Sequence, residues 1–142
     1  MEIIIMGNSK FRFWLVLTAL WVAVIYILSA MSGEVSSAQS KSVWEVLHTI
    51  WEDLSHENLR RIAHGVEYFI LGALAVSMFF NTKSFKVAKP MLFSLLVAMG
   101  DETLQLYVDG RASEIMDIWM DFGGAVLGIL IFWGIHALRK GK

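Results

Sequence analysis

Residues 13–30, FWLVLTALWVAVIYILSA, form an apolar stretch that contains no charged side chain. A helix of this length rises about 27 Å, close to the roughly 30 Å thickness of the hydrocarbon core of a bilayer. Lys10 and Arg12 precede the stretch. The apolar core of a secretory signal peptide is usually shorter, about 7–15 residues. The stretch therefore predicts a membrane-spanning helix rather than a cleaved signal.

The composition of the whole chain agrees with a membrane protein. Of its 142 residues, 56% are hydrophobic and 13% are aromatic, and the mean hydropathy is +0.58. One small soluble core cannot bury so much apolar surface. We therefore expect an all-α, polytopic membrane protein, a four-transmembrane-helix bundle that forms one domain over residues 1–142. The predicted spans are residues 13–30, 61–80, 90–107 and 115–138.

The charge and cysteine content exclude several functional classes. The net charge is −1, and no basic face of the kind that follows a phosphate backbone is present, so nucleic acid is not an expected partner. The absence of cysteine excludes disulfides, thiolate metal sites and thiol redox chemistry. The expected partners are membrane lipids and an envelope ligand, and the composition is compatible with an oligomer.

The distribution of basic residues predicts the orientation in the membrane. Cytoplasmic loops of membrane proteins are enriched in Lys and Arg. Eight of the twelve basic residues flank one side of the predicted spans. These eight are Lys10, Arg12, Lys83, Lys86, Lys89, Arg139, Lys140 and Lys142. We expect this side, with both termini, to be cytoplasmic in a bacterial cytoplasmic (inner) membrane, which places every carboxylate except Glu2 on the outer side or near it.

Residues 43–54, in the first outer loop, have an amphipathic pattern. Apolar side chains, among them Trp44 and Trp51, recur at helical spacing, and acidic side chains occupy the other face. Ser42 and Glu45 have the spacing of a capping box. The pattern predicts a short helix at the outer interface of the membrane. A lid packed over the four spans is the alternative, and either arrangement would cover the outer ends of the spans.

Three of the predicted spans carry ionisable side chains near their outer ends. Side chains three or four residues apart share a helix face, so each of these spans has a polar stripe. Because a charge at membrane depth costs roughly 3 kcal/mol or more, we expect the stripes to face one another or water. The predicted ligand-binding residues are Arg61, His64, Glu67 and Tyr68 on the second span, Asp101, Glu102 and Gln105 on the third, Arg111 in the next turn, and Asp117 and Asp121 on the fourth.

Gly124 and Gly128 continue the stripe of Asp117 and Asp121 at intervals of one helical turn. Small residues at this spacing allow a neighbouring helix to approach closely. The pattern predicts tight helix packing beneath the polar residues.

Several of these motifs resemble the VanZ-like family of small bacterial integral membrane proteins, which is associated with teicoplanin resistance. The resemblance covers most of the chain and is carried by residues 28–32 (LSAMS) with the serines through Ser40, 61–72 (RIAHGVEYFILG) and 101–105 (DETLQ), and by Gly110, Arg111, Asp117, Gly124 and Gly128. Gly65 and Asp121 depart from the family pattern, which favours Phe and Asn there. The extra carboxylate at Asp121 favours cation or proton binding. The resemblance implies a cell-envelope setting and a contribution to glycopeptide resistance.

The favoured hypothesis is an outward-facing polar pocket that binds an envelope ligand. The ligand would be a lipid headgroup, a lipid-linked cell-wall precursor or a lipoglycopeptide antibiotic. Arg61, His64 and Arg111 would contact its anionic groups, and the acidic residues would contact hydroxyls, amides or cations.

Three alternatives remain open. An enzyme could act on a lipid-linked substrate, with His64 as base, Glu67 as its orienting carboxylate and neighbouring acids assisting. The candidate catalytic residues, which are also the candidate ligands of a hard divalent cation, are His64, Glu67, Glu102 and Asp117. A purely structural network is the second alternative, although the excess of carboxylates argues against it. A proton-coupled transporter is the third, and it is disfavoured because no inverted repeat or broken span is evident.

Overall fold

The computed structural model describes residues 9–31, 41, 44–45, 55–82, 84–110 and 115–140 of the protein. Its long helices are α1 (Ser9–Ser29), α2 (His56–Phe80), α3 (Ala88–Gln105) and α4 (Ile115–Lys140). No strand occurs in this part of the chain, and the all-α prediction is confirmed. The predicted interfacial helix at 43–54 lies outside the described residues except for Trp44 and Glu45, and Arg111 lies outside them too.

Three helices are long and apolar enough to cross a membrane: Ser9–Ser29, Asn58–Phe80 and Ile115–Arg139. Their outward faces expose large apolar side chains; on α1, for example, Phe13, Leu20 and Ile27 are between 59% and 62% exposed. Apolar surface of this extent is typical of helices that face lipid. These three helices make the chain a membrane protein.

The third helix of the bundle, α3, differs from the other three. It has 18 residues and contains three charged side chains, those of Lys89, Asp101 and Glu102. Asp101 and Glu102 are buried, because α3 packs against α1, α2 and α4. The buried face of α3 thus carries its acidic residues into the interior of the bundle.

The closest helix packing occurs between α2 and α4, which are separated in sequence by α3. A Cβ atom at Gly72, Gly124 or Gly128 would overlap with the backbone of the facing helix. The atoms that it would meet are the carbonyl oxygens of Ala125, Gly65 and Phe69, respectively. We call this contact the glycine seam. It confirms the close approach predicted from Gly124 and Gly128.

Contacts along the seam show that α2 and α4 run parallel. Gly65 near the start of α2 meets Gly124, and Ser77 near its end meets His136. In contrast, α3 runs antiparallel to α2, since Phe79 contacts Phe93 with ring centroids 6.1 Å apart and the start of α2 reaches the end of α3. The chain therefore reverses direction from α2 to α3 and again from α3 to α4.

The first helix joins the bundle through two aromatic side chains that donate hydrogen bonds. Trp21 Nε1 donates to the Glu67 carbonyl of α2 at 2.9 Å, and the Tyr26 hydroxyl donates to the Val97 carbonyl of α3 at 3.4 Å. Ser29, one turn further along α1, lies beside Asp101. Because both sequence numbers increase together, α1 runs parallel to α3 and opposite to α2.

The helix ends nearest the polar residues have defined local structure. Ser55 caps α2, since its hydroxyl accepts a hydrogen bond from the Asn58 backbone N–H at 3.1 Å. After α3, Gly110 has a φ of 74°, a left-handed conformation that residues with a Cβ atom rarely adopt. This glycine turns the chain toward α4.

Candidate functional site

A small cavity lies among α2, α3 and α4, where α3 ends and α4 begins. Its volume is about 10 Å³, which suits one water-sized occupant. It is lined by Arg60, Arg61, His64, Glu102, Gln105, Asp117, Met120 and Asp121. We call it the polar cavity. The structure thus brings together six of the ten predicted ligand-binding residues, drawn from three helices.

The acidic side chains of α3 point into the bundle. Asp101 is 0% and Glu102 is 4% exposed, and Gln105 on the same face is also buried. Gln105 Nε2 donates a hydrogen bond of 3.4 Å to Asp101 Oδ2. The interaction uses the four-residue spacing that places both side chains on one stripe. Gln105 therefore links the polar cavity to Asp101, which lies behind the lining residues.

On α4, Asp121 is the most deeply buried residue of the cavity lining, with 2% of its surface exposed. No residue that the structure describes forms a hydrogen bond with its Oδ2 atom. It also lies within electrostatic range of four other carboxylates, those of Glu67, Asp101, Glu102 and Asp117. A buried charge is costly unless a partner compensates it. Asp121 therefore marks the position where the site requires a positive charge or a proton.

His64 and Glu67 lie on one face of α2 and are about a quarter exposed. His64 Nδ1 is 3.8 Å from Glu67 Oε2, which is longer than a hydrogen bond. Glu67 is absent from the lining of the polar cavity, and His64 is part of it. His64 and Glu67 therefore lie within ion-pair distance on one face of α2, and His64 is the member of the pair that reaches the polar cavity.

Two hydroxyl groups, those of Ser29 and Tyr68, lie beside Asp101. Tyr68, a predicted ligand-binding residue, is fully buried and its hydroxyl lies beside Asp101. It also belongs to the apolar core with Leu71 and Val97. Tyr68 is therefore placed to contact Asp101 from the apolar core, and it does not line the polar cavity.

Sequence reasoning did not identify Ser29 as a site residue. Ser29 is 2% exposed and lies beside Asp101. Ser29 belongs to the LSAMS motif at residues 28–32, which contributed to the family resemblance. The motif therefore pointed to this residue, but the sequence did not indicate that it lies at the site. Arg60 and Met120 also line the polar cavity, although neither was predicted as a ligand-binding residue.

The predicted metal ligands only partly coincide with the group that the structure brings together. In the described part of the chain, His64, Asp101 and Asp121 each offer a ligand atom, and these atoms lie within 4.8 Å of one another. Of the predicted set, His64 belongs to this group, whereas Glu67, Glu102 and Asp117 do not. The two aspartates replace them because they are the carboxylates that approach the histidine from α3 and α4.

The opposite end of the bundle contains a smaller polar contact. His136 Nε2 lies 3.0 Å from the Ser77 hydroxyl, which also donates to the Ala73 carbonyl at 2.7 Å. The imidazole ring stacks on Phe80 with centroids 5.0 Å apart. These contacts explain His136 as a packing residue between α2 and α4.

Fold and site together define a helical membrane protein with a polar cavity set into one end of its bundle. The sequence profile of the VanZ/LLP1 family matches residues 13–138. The chain belongs to the VanZ/LLP1 family, as its motifs had indicated. Neither the curated proteins nor the solved structures contain a match to it.

Proposed function

We propose that this VanZ/LLP1 protein crosses the bacterial cytoplasmic membrane four times and binds the phosphate-bearing headgroup of a lipid-anchored envelope molecule in its outward-facing polar cavity. The observation that carries the proposal is the lining of one cavity by two arginines and a histidine beside an exposed apolar side chain. Arg60 and Arg61 supply the cationic groups, His64 supplies an imidazole that can hydrogen-bond the ligand, and Met120 supplies the apolar contact.

The alternating directions of the helices support four crossings. A chain in which α2 and α4 run parallel must return through α3, which at 18 residues rises about 27 Å. Its outward face is apolar, with Leu92, Leu96 and Met99 between 49% and 59% exposed. These three side chains would face lipid, and the charged residues of α3 near the cavity would be shielded inside the bundle.

The excess of basic residues on the opposite side supports an outward-facing cavity. The chain contains no cysteine, so single cysteines report topology without background labelling. Ser84→Cys and Asp109→Cys place a thiol at exposed positions beyond opposite ends of α3. In intact cells a membrane-impermeant maleimide should label Cys at position 109 and should label Cys at position 84 only after lysis. The reverse pattern would contradict the proposed orientation.

The arginines favour phosphate as the group that is recognised. Guanidinium groups bind phosphate oxygens with two parallel hydrogen bonds and remain charged. Arg60 and Arg61 are half-buried in the second turn of α2. A phosphate at the mouth of the cavity would contact these cationic groups before it reached the carboxylates.

The size of the cavity indicates how much of the ligand enters. A volume of about 10 Å³ accepts one small group and excludes a sugar or a peptide. Met120 lines the cavity and is 43% exposed, and Ile62 on α2 is 50% exposed. Met120 therefore belongs both to the cavity lining and to the exposed apolar surface. A lipid tail could therefore lie along the bundle while the headgroup places one charged group in the cavity.

Lipid retention by the purified full-length protein tests this proposal. Native mass spectrometry from detergent would compare a polyprenyl phosphate, phosphatidylglycerol and uncharged diacylglycerol. The wild-type protein should retain the two phosphate lipids and not diacylglycerol. Replacing both arginines, Arg60→Gln with Arg61→Gln, should reduce retention about tenfold or more, since each charge-assisted contact contributes roughly 1.5 kcal/mol or more.

Arg139→Gln is the matched control, because Arg139 is exposed at the far end of α4 and should leave retention unchanged. Equal retention of the charged and uncharged lipids, or full retention by the double variant, would overturn the proposal. The relative retention of the two phosphate lipids identifies which source of phosphate the site prefers.

Drug sensitivity of cells tests the proposed contribution to glycopeptide resistance. Cells that produce the wild-type protein should tolerate more teicoplanin than cells without it. The double arginine variant should abolish this difference if headgroup binding causes it, and Arg139→Gln should preserve it. Equal sensitivity of cells with and without the protein would remove the resistance role and leave lipid binding to be judged by mass spectrometry.

A further inference from the structure

Three side chains from three helices converge beside the polar cavity. His64 comes from α2, Asp101 from α3 and Asp121 from α4, and one ligand atom of each lies within 4.8 Å of the others. Ligands of one metal ion are separated by about this distance or less, because metal–ligand bonds are roughly 2.0–2.4 Å long. The spacing therefore permits all three atoms to bind a single ion.

The burial of Asp121 provides a second, independent indication of a ligand. The residue is 2% exposed and, within the described part of the chain, its Oδ2 atom has no hydrogen-bond partner. Four further carboxylates surround it. Each adds repulsion, so the cluster favours a cation at this position.

We propose that His64, Asp101 and Asp121 form a binding site for one divalent transition-metal ion that accepts both imidazole and carboxylate ligands, such as Mn²⁺ or Zn²⁺. Imidazole disfavours Mg²⁺ and Ca²⁺, which prefer oxygen ligands only, and two carboxylates without cysteine disfavour Cu⁺. The ion bridges the three helices. The adjacent cavity leaves space for a water ligand.

Groups behind the ligands are arranged as supports. Gln105 Nε2 donates to Asp101 Oδ2 at 3.4 Å, and the hydroxyls of Ser29 and Tyr68 lie beside the same carboxylate. A hydrogen bond of the kind that Gln105 donates orients a metal-binding carboxylate and tunes its affinity for the ion. It holds Asp101 in place and leaves Oδ1, which has no hydrogen-bond partner in the described part of the chain, for the ion.

Metal content of the full-length protein tests the proposal directly. Purified protein in detergent is stripped with a chelator, dialysed against Mn²⁺ or Zn²⁺ in separate samples, and analysed by inductively coupled plasma mass spectrometry. The wild-type protein should retain about one ion per chain. Asp121→Asn and His64→Gln should each weaken binding about tenfold or more, and Asp109→Asn should bind as the wild type does.

Asp109 is a suitable control because it follows α3 at the same end of the bundle. Its carboxylate is exposed, and it is not one of the three proposed metal ligands. Thermal unfolding adds a test that the wild-type protein alone can provide, even if a variant cannot be purified in folded form. The melting temperature of the stripped wild-type protein should rise when Mn²⁺ or Zn²⁺ is added and should not rise with Mg²⁺. Asp121→Asn should unfold at the same temperature with and without the ion.

Two outcomes would overturn the metal site. If a proton or Arg111 supplies the compensating charge, the wild-type protein will take up neither Mn²⁺ nor Zn²⁺. If metal binds elsewhere, Asp121→Asn will bind it as tightly as the wild type. Repeating the lipid-retention measurement on stripped protein separates this proposal from the headgroup proposal, because each can fail while the other stands.

Discussion

The glycine seam and the polar cavity both involve α2 and α4, but the seam is a close backbone contact and the cavity is a cluster of charged side chains. In the seam, Gly72 and Gly128 allow backbone to meet backbone without space for a Cβ atom. Two turns before Gly128, Asp121 is also buried but lies among like charges. The seam contributes stability through close packing, whereas the cavity reduces it. The difference supports the proposed binding role of the polar cavity.

The largest expected effect on stability comes from adding a methyl group within the seam. Gly124→Ala and Gly128→Ala would each place a Cβ atom against a backbone carbonyl, which cannot rotate away. Each should lower the free energy of unfolding by about 1–3 kcal/mol, measured by denaturant titration in detergent micelles.

Gly123→Ala and Gly134→Ala are matched controls on the same helix, because a Cβ atom at either position meets nothing within 4 Å. These variants should be as stable as the wild type or slightly more stable. A similar loss in all four variants would contradict the packing explanation, because only Gly124 and Gly128 lack space for a Cβ atom.

An intermediate effect of opposite sign is expected in the polar cavity. Asp121→Asn retains the shape of the side chain and removes one ionisable group from a cluster of five carboxylates. In the presence of a chelator this variant should be more stable than the wild type by about 1 kcal/mol, measured by the same titration. If Asp121→Asn is instead less stable than the wild type, Asp121 contributes to the stability of the fold, as the glycines of the seam do.

The smallest effect is expected where α1 joins the bundle. Tyr26→Phe removes only the long hydrogen bond of 3.4 Å to the Val97 carbonyl and retains the ring. The loss should be below about 0.6 kcal/mol, the average for hydrogen bonds between membrane helices. Trp21→Phe is the comparison, because its hydrogen bond to Glu67 is 2.9 Å long and should cost more. Equal losses would show that hydrogen-bond length does not set these contributions.

Much of the fold was predictable because apolar length and small-residue spacing are local properties of a sequence. Residues 13–30 indicated α1, and the interval between Gly124 and Gly128 indicated the seam. Counting the rise per residue from the ends of the predicted spans also placed His64 and Asp121 at one level, and both line the cavity.

The detailed arrangement of the site was not predictable, because it depends on how each helix is rotated about its axis. Asp101 and Glu102 are adjacent in sequence, and spacing alone does not decide which of them meets His64. The structure selects Asp101. The contact between Tyr26 and Gly100 helps to fix the rotation of α3. Ser29 was missed for the same reason, since one helix alone does not reveal which neighbour its hydroxyl meets.

The parallel pairing of α2 with α4 has a consequence for biogenesis. Helices leave the ribosome in sequence order, so α2 enters the bilayer before its glycine-matched neighbour has been synthesised. In the proposed four-crossing topology, the seam can close only after α3 has returned across the bilayer. Arrival of α4 then delivers Gly128 and Asp121 together, so the last insertion step completes the scaffold and the binding site at once.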